Sequence, residues 1–360
     1  MKKITGAIAI VFCSLIAAIL IAAAYGGTIN PAKSTIPSLL AMTFPFILPA
    51  VAILAVVFLF FKKIAAIILI CALLICTPQI CTYFPINPVK ADGERSFTLM
   101  TYNVANLKDF ATESETSTNN PTLKFIIEQS PDIVALQECA TFSITENSVV
   151  STGLIDSLFT EYPHHTNGIE GQALLSRYPF EQISLHHKPG TNFQVRAYRM
   201  FIPTDTFTLI NMHLKSIGLN SEDKTLYKDL TKGKTESEGI KQEIRDIRTG
   251  LISKLSEAFR VRATQSQLVK DLIDSIGGKI IVCGDFNDVP GCYSIRTIES
   301  SGLKDAYRHG ATGPAITFHE DRFFFRIDHI LYRGFTPLEV KCITTPHSDH
   351  YPLIASFSKE

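Results

Sequence analysis

The chain has 360 residues, enough for a sizeable core, and its 34 basic and 34 acidic side chains cancel. The cancellation joins two unlike parts: residues 1–89 carry Lys2, Lys3, Lys33, Lys62 and Lys63 with no acid, whereas residues 90–360 set 29 basic groups against all 34 acids, a net −5. A domain at −5 lacks the overall basic surplus that gives affinity for phosphate backbones, which weighs against a nucleic-acid binder.

Taken in chain order, the first elements belong in a membrane. Ile4–Ala24, Ile36–Phe61 and Ile64–Ile86 are apolar runs, each long enough to cross a hydrocarbon core of about 30 Å. Pro45 and Pro49 interrupt the second, as membrane helices tolerate. Lys2-Lys3 ahead of a run ending in Ala22-Ala23-Ala24 also fits a cleaved signal peptide, and the second and third runs also fit a re-entrant pair. Because two runs follow the first at once, the expectation is an uncleaved, all-α anchor of three transmembrane helices over 1–89. With Lys2-Lys3 and Lys62-Lys63 cytoplasmic, three crossings put everything after Pro88 on the extracytoplasmic side.

Residues 87–96 read as a polar linker, and 97–360 as one domain. Runs rich in β-branched and aromatic residues predict strands at 97–104, 132–138, 172–179, 197–203, 207–214, 279–286, 325–332, 339–345 and 351–357. Helices are expected at 122–129, 147–159 and 293–300, and a longer amphipathic one from Ile240 to Gly277-Gly278. Residues 216–239 are polar and read as a mobile loop. Cys139, Cys283, Cys292 and Cys342 are scattered, and no disulfide can be chosen among them. Interleaved strands and helices with many short turns favour two mixed sheets face to face with helices outside.

The strand ends carry the chemistry. Asn103, Glu138, His213, Asp285 with Asn287, and Asp328 each lie at or beside an apolar run, and Ser348-Asp349-His350 precedes the last one. A calcium loop beginning at Asp285 fails, because its twelfth position is Arg296 instead of Glu. His329, His347, Asp349 and His350 form a rival zinc set, with no thiol or helical His pair to complete it. His164-His165 and His186-His187 read as exposed loop histidines, and Phe323–Phe325 as core.

In this order, "YNVAN", "LQE", "NMHLKS", "GDFND", "RIDHI" and "SDHYP" resemble the endonuclease/exonuclease/phosphatase superfamily of metal-dependent phosphoesterases. The resemblance implies a four-layer α/β sandwich and a hydrolase of phosphate esters. It also implies Mg²⁺, with Mn²⁺ as an alternative, held by Glu138 with Asn103 and Asp349 near the metal or its waters. Asp285 is then expected to orient or deprotonate the attacking water, Asn287 to hold water or phosphate, and His213 to donate to a phosphate oxygen. His350 with Asp328 serves as base or phosphate clamp. Arg196, Arg199 and Lys215 form a local basic strip, of which Arg199 is the expected substrate contact. Abasic-site endonucleases carry a tyrosine near "NMHL" and usually tryptophans, and this chain has no tryptophan. Inositol polyphosphate phosphatases read Trp-Cys-Asp-Arg where "FRIDHILY" stands. The His213 pattern is nearer the deoxyribonuclease and neutral sphingomyelinase branches. The anchor points to a phosphate ester met at the bilayer, such as a lipid headgroup. A membrane-anchored nuclease and a catalytically silent tethered binding module remain as alternatives.

Overall fold

The computed structural model describes residues 2–88, 95–108, 120–139, 152–166, 168, 171–184, 194–203, 205–218, 238–320 and 324–360. The chain opens with helices α1 (Lys2–Tyr25), α2 (Ile36–Phe61), α3 (Lys63–Ile75) and α4 (Thr77–Tyr83). Small residues let the first three approach closely, with Ala17, Ala23 and Ala24 of α1 packed with Ala55 of α2 and Ala65 and Ala72 of α3. Large apolar side chains such as Leu15, Ile53, Phe60 and Ile67 face outward instead. Among the described residues, two helices, Gly6–Thr28 and Ile36–Phe61, are long and apolar enough to cross a membrane, and the pair α3–α4 makes a third if it counts as one span. That third run is bent: α3 reaches only about 20 Å, and the chain turns by 63° before α4. Pro78 stands at the start of α4, so the backbone is re-aimed where the apolar run looked continuous.

The sandwich begins with β1 (Phe97–Asn103), α5 (Pro121–Gln129), β2 (Ile133–Gln137), α6 (Thr152–Glu161), β3 (His164–His165) and β4 (Gln172–Ser176). It continues through β5 (Phe180–Ile183), β6 (Gln194–Ile202), β7 (Asp205–His213), α7 (Glu238–Ile276), β8 (Ile280–Asp285) and α8 (Tyr293–Glu299). The last elements are β9 (Lys304–Asp305), α9 (Ala306–Gly310), β10 (Asp328–Arg333), β11 (Phe335–Cys342) and β12 (Leu353–Lys359). One six-stranded sheet has the order β11-β12-β1-β2-β4-β3 and the other β5-β6-β7-β8-β10-β9. Each has one parallel pair at its centre, β1 with β2 and β7 with β8, and antiparallel pairs elsewhere.

The apolar faces of both sheets meet in one core that includes Leu99, Ile133, Leu209, Ile281 and Leu353. The outer face of the first sheet is covered by α5 and α6 through Leu123, Ile126 and Leu158. Val269 and Ile273 of α7, with Ile295 and Ile298 of α8, cover the second. This is the expected helix–sheet–sheet–helix sandwich.

The helices and the sandwich are not separated by a free linker. Gln79 Nε2 and Tyr83 Oη both donate to Pro290 O at 3.0 Å. Arg296 reaches Ala24 O and Gln79 Oε1, each at 3.1 Å, and Arg326 donates to Thr82 O. A Cβ on Gly27 would lie 1.9 Å from Gly291 O, so only glycine allows the backbones this close. Asn87 donates from its side chain to Arg308 O and Ala311 O, which fastens the start of the expected linker to the sandwich. The start of α2 also touches the sandwich, where Thr35 Oγ1 donates to Ser256 Oγ at 3.1 Å. Its Lys62 end lies about 39 Å further along the helix.

Other readings shift. His164 and His165 form a half-buried strand, with the His165 ring stacked on Phe159 at 3.7 Å. Phe324 is exposed rather than in the core, and Phe325 packs edge-on against Phe46 of α2. His186-His187, Phe323, residues 147–151 of the expected helix and 219–237 of the expected loop lie outside the described residues. Cys139, Cys283, Cys292 and Cys342 are all free.

Candidate active site

The topology explains why the polar strand ends meet. Parallel partners end on the same side, so Asn103 closing β1 and Glu138 following β2 share a rim, as do His213 and Asp285 closing β7 and β8. Antiparallel neighbours begin where these strands end: Asp328 starts β10 opposite Asp285, and Ser348–His350 precede β12 beside β1. The two facing sheets therefore pool these ends at one mouth. Below it, Gln137 Nε2 donates to Asn211 Oδ1 across the sheets at 2.7 Å, and Asn211 donates to Leu136 O.

Asp285 is the hub, and only 1% of it is exposed. Its Oδ2 accepts from Asn103 Nδ2 at 3.1 Å and lies 3.6 Å from His213 Nε2 and 3.7 Å from His350 Nε2. Its Oδ1 accepts the Asn287 N–H at 2.8 Å. Burial, reinforced by the Asp328 charge and opposed by the two histidines, pushes its carboxyl up to about 6. Gly284 makes this placement possible, because its φ is +136° and a Cβ there would sit 1.9 Å from Met212 O.

His350 Nδ1 donates to Asp328 Oδ2 at 2.8 Å. Burial works against its charged form, but the Asp328 and Asp285 carboxylates prevail and raise it to about 10, so it is a cation near neutral pH. His213 is oriented from behind by Gln194 Oε1, 3.1 Å from its Nδ1. Ser348 Oγ donates to Asn103 O at 2.8 Å, with Asp349 Oδ1 3.2 Å away. Glu138 accepts from Asn103 Nδ2 at 3.2 Å, and its side chain is 39% exposed at the mouth. Glu138 and Asn287 both hold left-handed backbones, at φ +46° and +51°. Such conformations are costly and cluster at functional sites.

Asn103, Glu138, His213, Asp285, Asn287, Asp328, Asp349 and His350 are thus brought together. Arg199 is not. It is exposed on β6 opposite Thr208, five residues from the mouth end at Gln194, about 17 Å along the strand. The rival zinc set does not assemble: His329 is fully buried, taking a hydrogen bond from Arg326 at Nδ1 and reaching Asp288 O through Nε2. Burial and the Arg326 charge press its imidazole down to about 4. Among the described residues, the group whose possible ligand atoms lie within 4.8 Å of one another is Asp285, Asp328 and His350.

Two contributors escaped the sequence reading. Gln194 preceded every predicted strand residue of β6. Arg262 lines a cavity at this mouth, 1% exposed, with its Nε 3.4 Å from Asp288 Oδ2. Its position three residues after Phe259, on the apolar stripe of α7, was the available signal.

Residues 100–350 match the Endonuclease/Exonuclease/phosphatase family. The chain belongs to that family. Its enzymes hydrolyse phosphate esters and use divalent metals, so this endonuclease/exonuclease/phosphatase domain is a hydrolase of that kind. Residues 6–83 match a separate domain of unknown function. No curated protein matches the chain in sequence. Among solved structures, the endonuclease/exonuclease/phosphatase from Beutenbergia cavernae is 16% identical, with a TM-score of 0.50 over 74% of this chain and 72% of that one. The human Nocturnin catalytic domain with bound sulfate is 19% identical (TM-score 0.47, 76% of this chain, all of that one). Truncated Caenorhabditis elegans TDP2 is 17% identical (TM-score 0.44, 73% and 97%). The likeness to the Beutenbergia cavernae protein shows the fold.

Proposed function

We propose that the protein is a membrane-anchored, Mg²⁺-dependent phosphoesterase, with residues 1–89 as anchor and 97–360 as catalytic unit on the extracytoplasmic side. The observation that carries this reading is the environment of Asp285, a buried carboxylate raised to about 6 between two histidines of facing segments. A group titrating there can take a proton at neutral pH.

The donor set at the mouth fits Mg²⁺. Glu138 is a partly hydrated carboxylate, Asn103 and Asp349 add oxygens, and this ion prefers oxygen ligands while keeping several waters. Bound by these residues, Mg²⁺ supplies positive charge to the phosphate and leaving oxygens. The Asp285–Asp328–His350 group is a poorer home for this ion, since it is buried and offers a nitrogen, with His350 Nδ1 already bonded to Asp328 Oδ2 at 2.8 Å.

Asp285, fixed by Asn103 and by the Asn287 amide, accepts the proton of the attacking water. The water oxygen bonds to phosphorus, the ester P–O bond breaks, and the leaving oxygen takes a proton from solvent. His350, held by Asp328, and His213, held by Gln194, direct N–H groups at the phosphate oxygens from two sides. Asn287 steadies water or phosphate.

The lysines and the contacts of the anchor support this choice of side. The 26–35 loop and α4 abut the sandwich, while the Lys62–Lys63 turn is at the far end of α2, and lysine-rich ends favour the cytoplasm.

The test is turnover of bis(4-nitrophenyl) phosphate by the full chain in detergent. Activity should vanish with a chelator and return with Mg²⁺, and Glu138→Gln should raise the Mg²⁺ requirement far more than KM. A zinc-containing protein whose rate ignores Glu138 would overturn the metal assignment.

A further inference from the structure

The catalytic residues line a cavity of about 380 Å³ together with a group of apolar side chains. Leu251 and Leu255 of α7, Val289, Phe325 and Ile327 belong to the sandwich, but Met42 comes from α2 of the anchor. Met42 is no stray neighbour. Ala41 is buried with Val289 and Cys292, and Met42, Phe325 and Ile327 pack on the same cluster. The contacts of Gln79, Tyr83 and Arg296 hold the anchor in this place.

We infer that the anchor is part of the substrate site: Met42 and Phe325 bind the apolar portion of an amphiphilic phosphate ester whose chain continues along α2 into the bilayer. The inference rests on the phosphoesterase reading and adds the substrate class to it. The stretch formed by Met42, Leu251, Leu255, Phe325 and Ile327 has no polar side chain to partner a sugar or a second phosphate, although Ser216, Arg262 and Glu320 line the same cavity, and burying unpaired polar groups is costly.

An exit is present on the same helix face. Phe46 stands one turn after Met42, is 57% exposed and meets the Phe325 ring edge-on at 5.7 Å. Ile53, also exposed, continues the stripe two turns further into the membrane-crossing stretch of α2. An apolar path therefore runs from the reacting end to the lipid-facing surface. A purely soluble substrate has no use for it.

The test compares methyl and hexyl 4-nitrophenyl phosphate with the full chain in nanodiscs. Burial of methylenes favours binding by about fourfold each, so the hexyl ester should exceed the methyl ester in kcat/KM by at least about tenfold. Met42→Ala and Phe325→Ala should shrink that ratio to about threefold or less, while Met42→Leu preserves it. Calorimetric binding of hexyl against methyl phosphate should show the same preference without turnover. A ratio near one in the wild type, or one untouched by Met42→Ala, overturns the inference. So does cleavage of a single-stranded oligonucleotide with a higher kcat/KM than the hexyl ester. Chain-length-dependent binding without any hydrolysis would instead remove the phosphoesterase reading and leave the lipid-lined site standing.

Discussion

The helices of residues 2–83 and the sandwich solve opposite packing problems. In the helices, alanines such as Ala24, Ala65 and Ala66 are buried and large apolar side chains face out. In the sandwich, Phe97, Phe207, Phe335 and Phe357 stack inward at 5.1–6.0 Å, and polar residues gather at the rim. With lipid as solvent, burying a large side chain gains little from exclusion of water, and close backbone approach decides the packing. With water as solvent, apolar burial dominates. The polar groups Gln79, Thr82 and Tyr83 of α4 sit where the helices meet the sandwich.

This contrast can be broken at chosen points. Phe97→Ala should cost the sandwich about 3–5 kcal/mol through an unfilled cavity, read as a lower thermal midpoint of the full chain. The helical region should respond to the opposite change. Ala66→Leu should cost about 1–3 kcal/mol through overpacking, while Phe60→Ala on the exposed face changes the midpoint little. Arg296→Met tests the junction: losing its bonds to Ala24 O and Gln79 Oε1 should cost about 1–2 kcal/mol, read as faster hydrogen exchange in α4.

The same contrast explains what the sequence made legible. Strands of the sandwich stand out because a two-sided core demands β-branched and aromatic runs, and the catalytic candidates stand out because acids and amides leave those runs abruptly. Asp285, Asn287 and Glu138 were therefore visible. Arg199 misled because alternation gives the phase of a strand but not which end of the sheet reaches the mouth. Arg262 and the Gln137–Asn211 bridge were hidden because their partners are distant in sequence. The break at Thr77 was hidden for another reason. An apolar run has no feature that marks where a helix turns to meet a domain, apart from Pro78 itself.

The central claim is that the buried, raised carboxylate of Asp285 performs proton transfer at this rim. Its most direct test is Asp285→Asn in the full chain, assayed on bis(4-nitrophenyl) phosphate at saturating Mg²⁺. Turnover should fall by about 10²-fold or more, with the thermal midpoint held or raised, because an uncomfortable buried carboxylate has been neutralised. A well-folded variant that turns over at the wild-type rate would contradict the account.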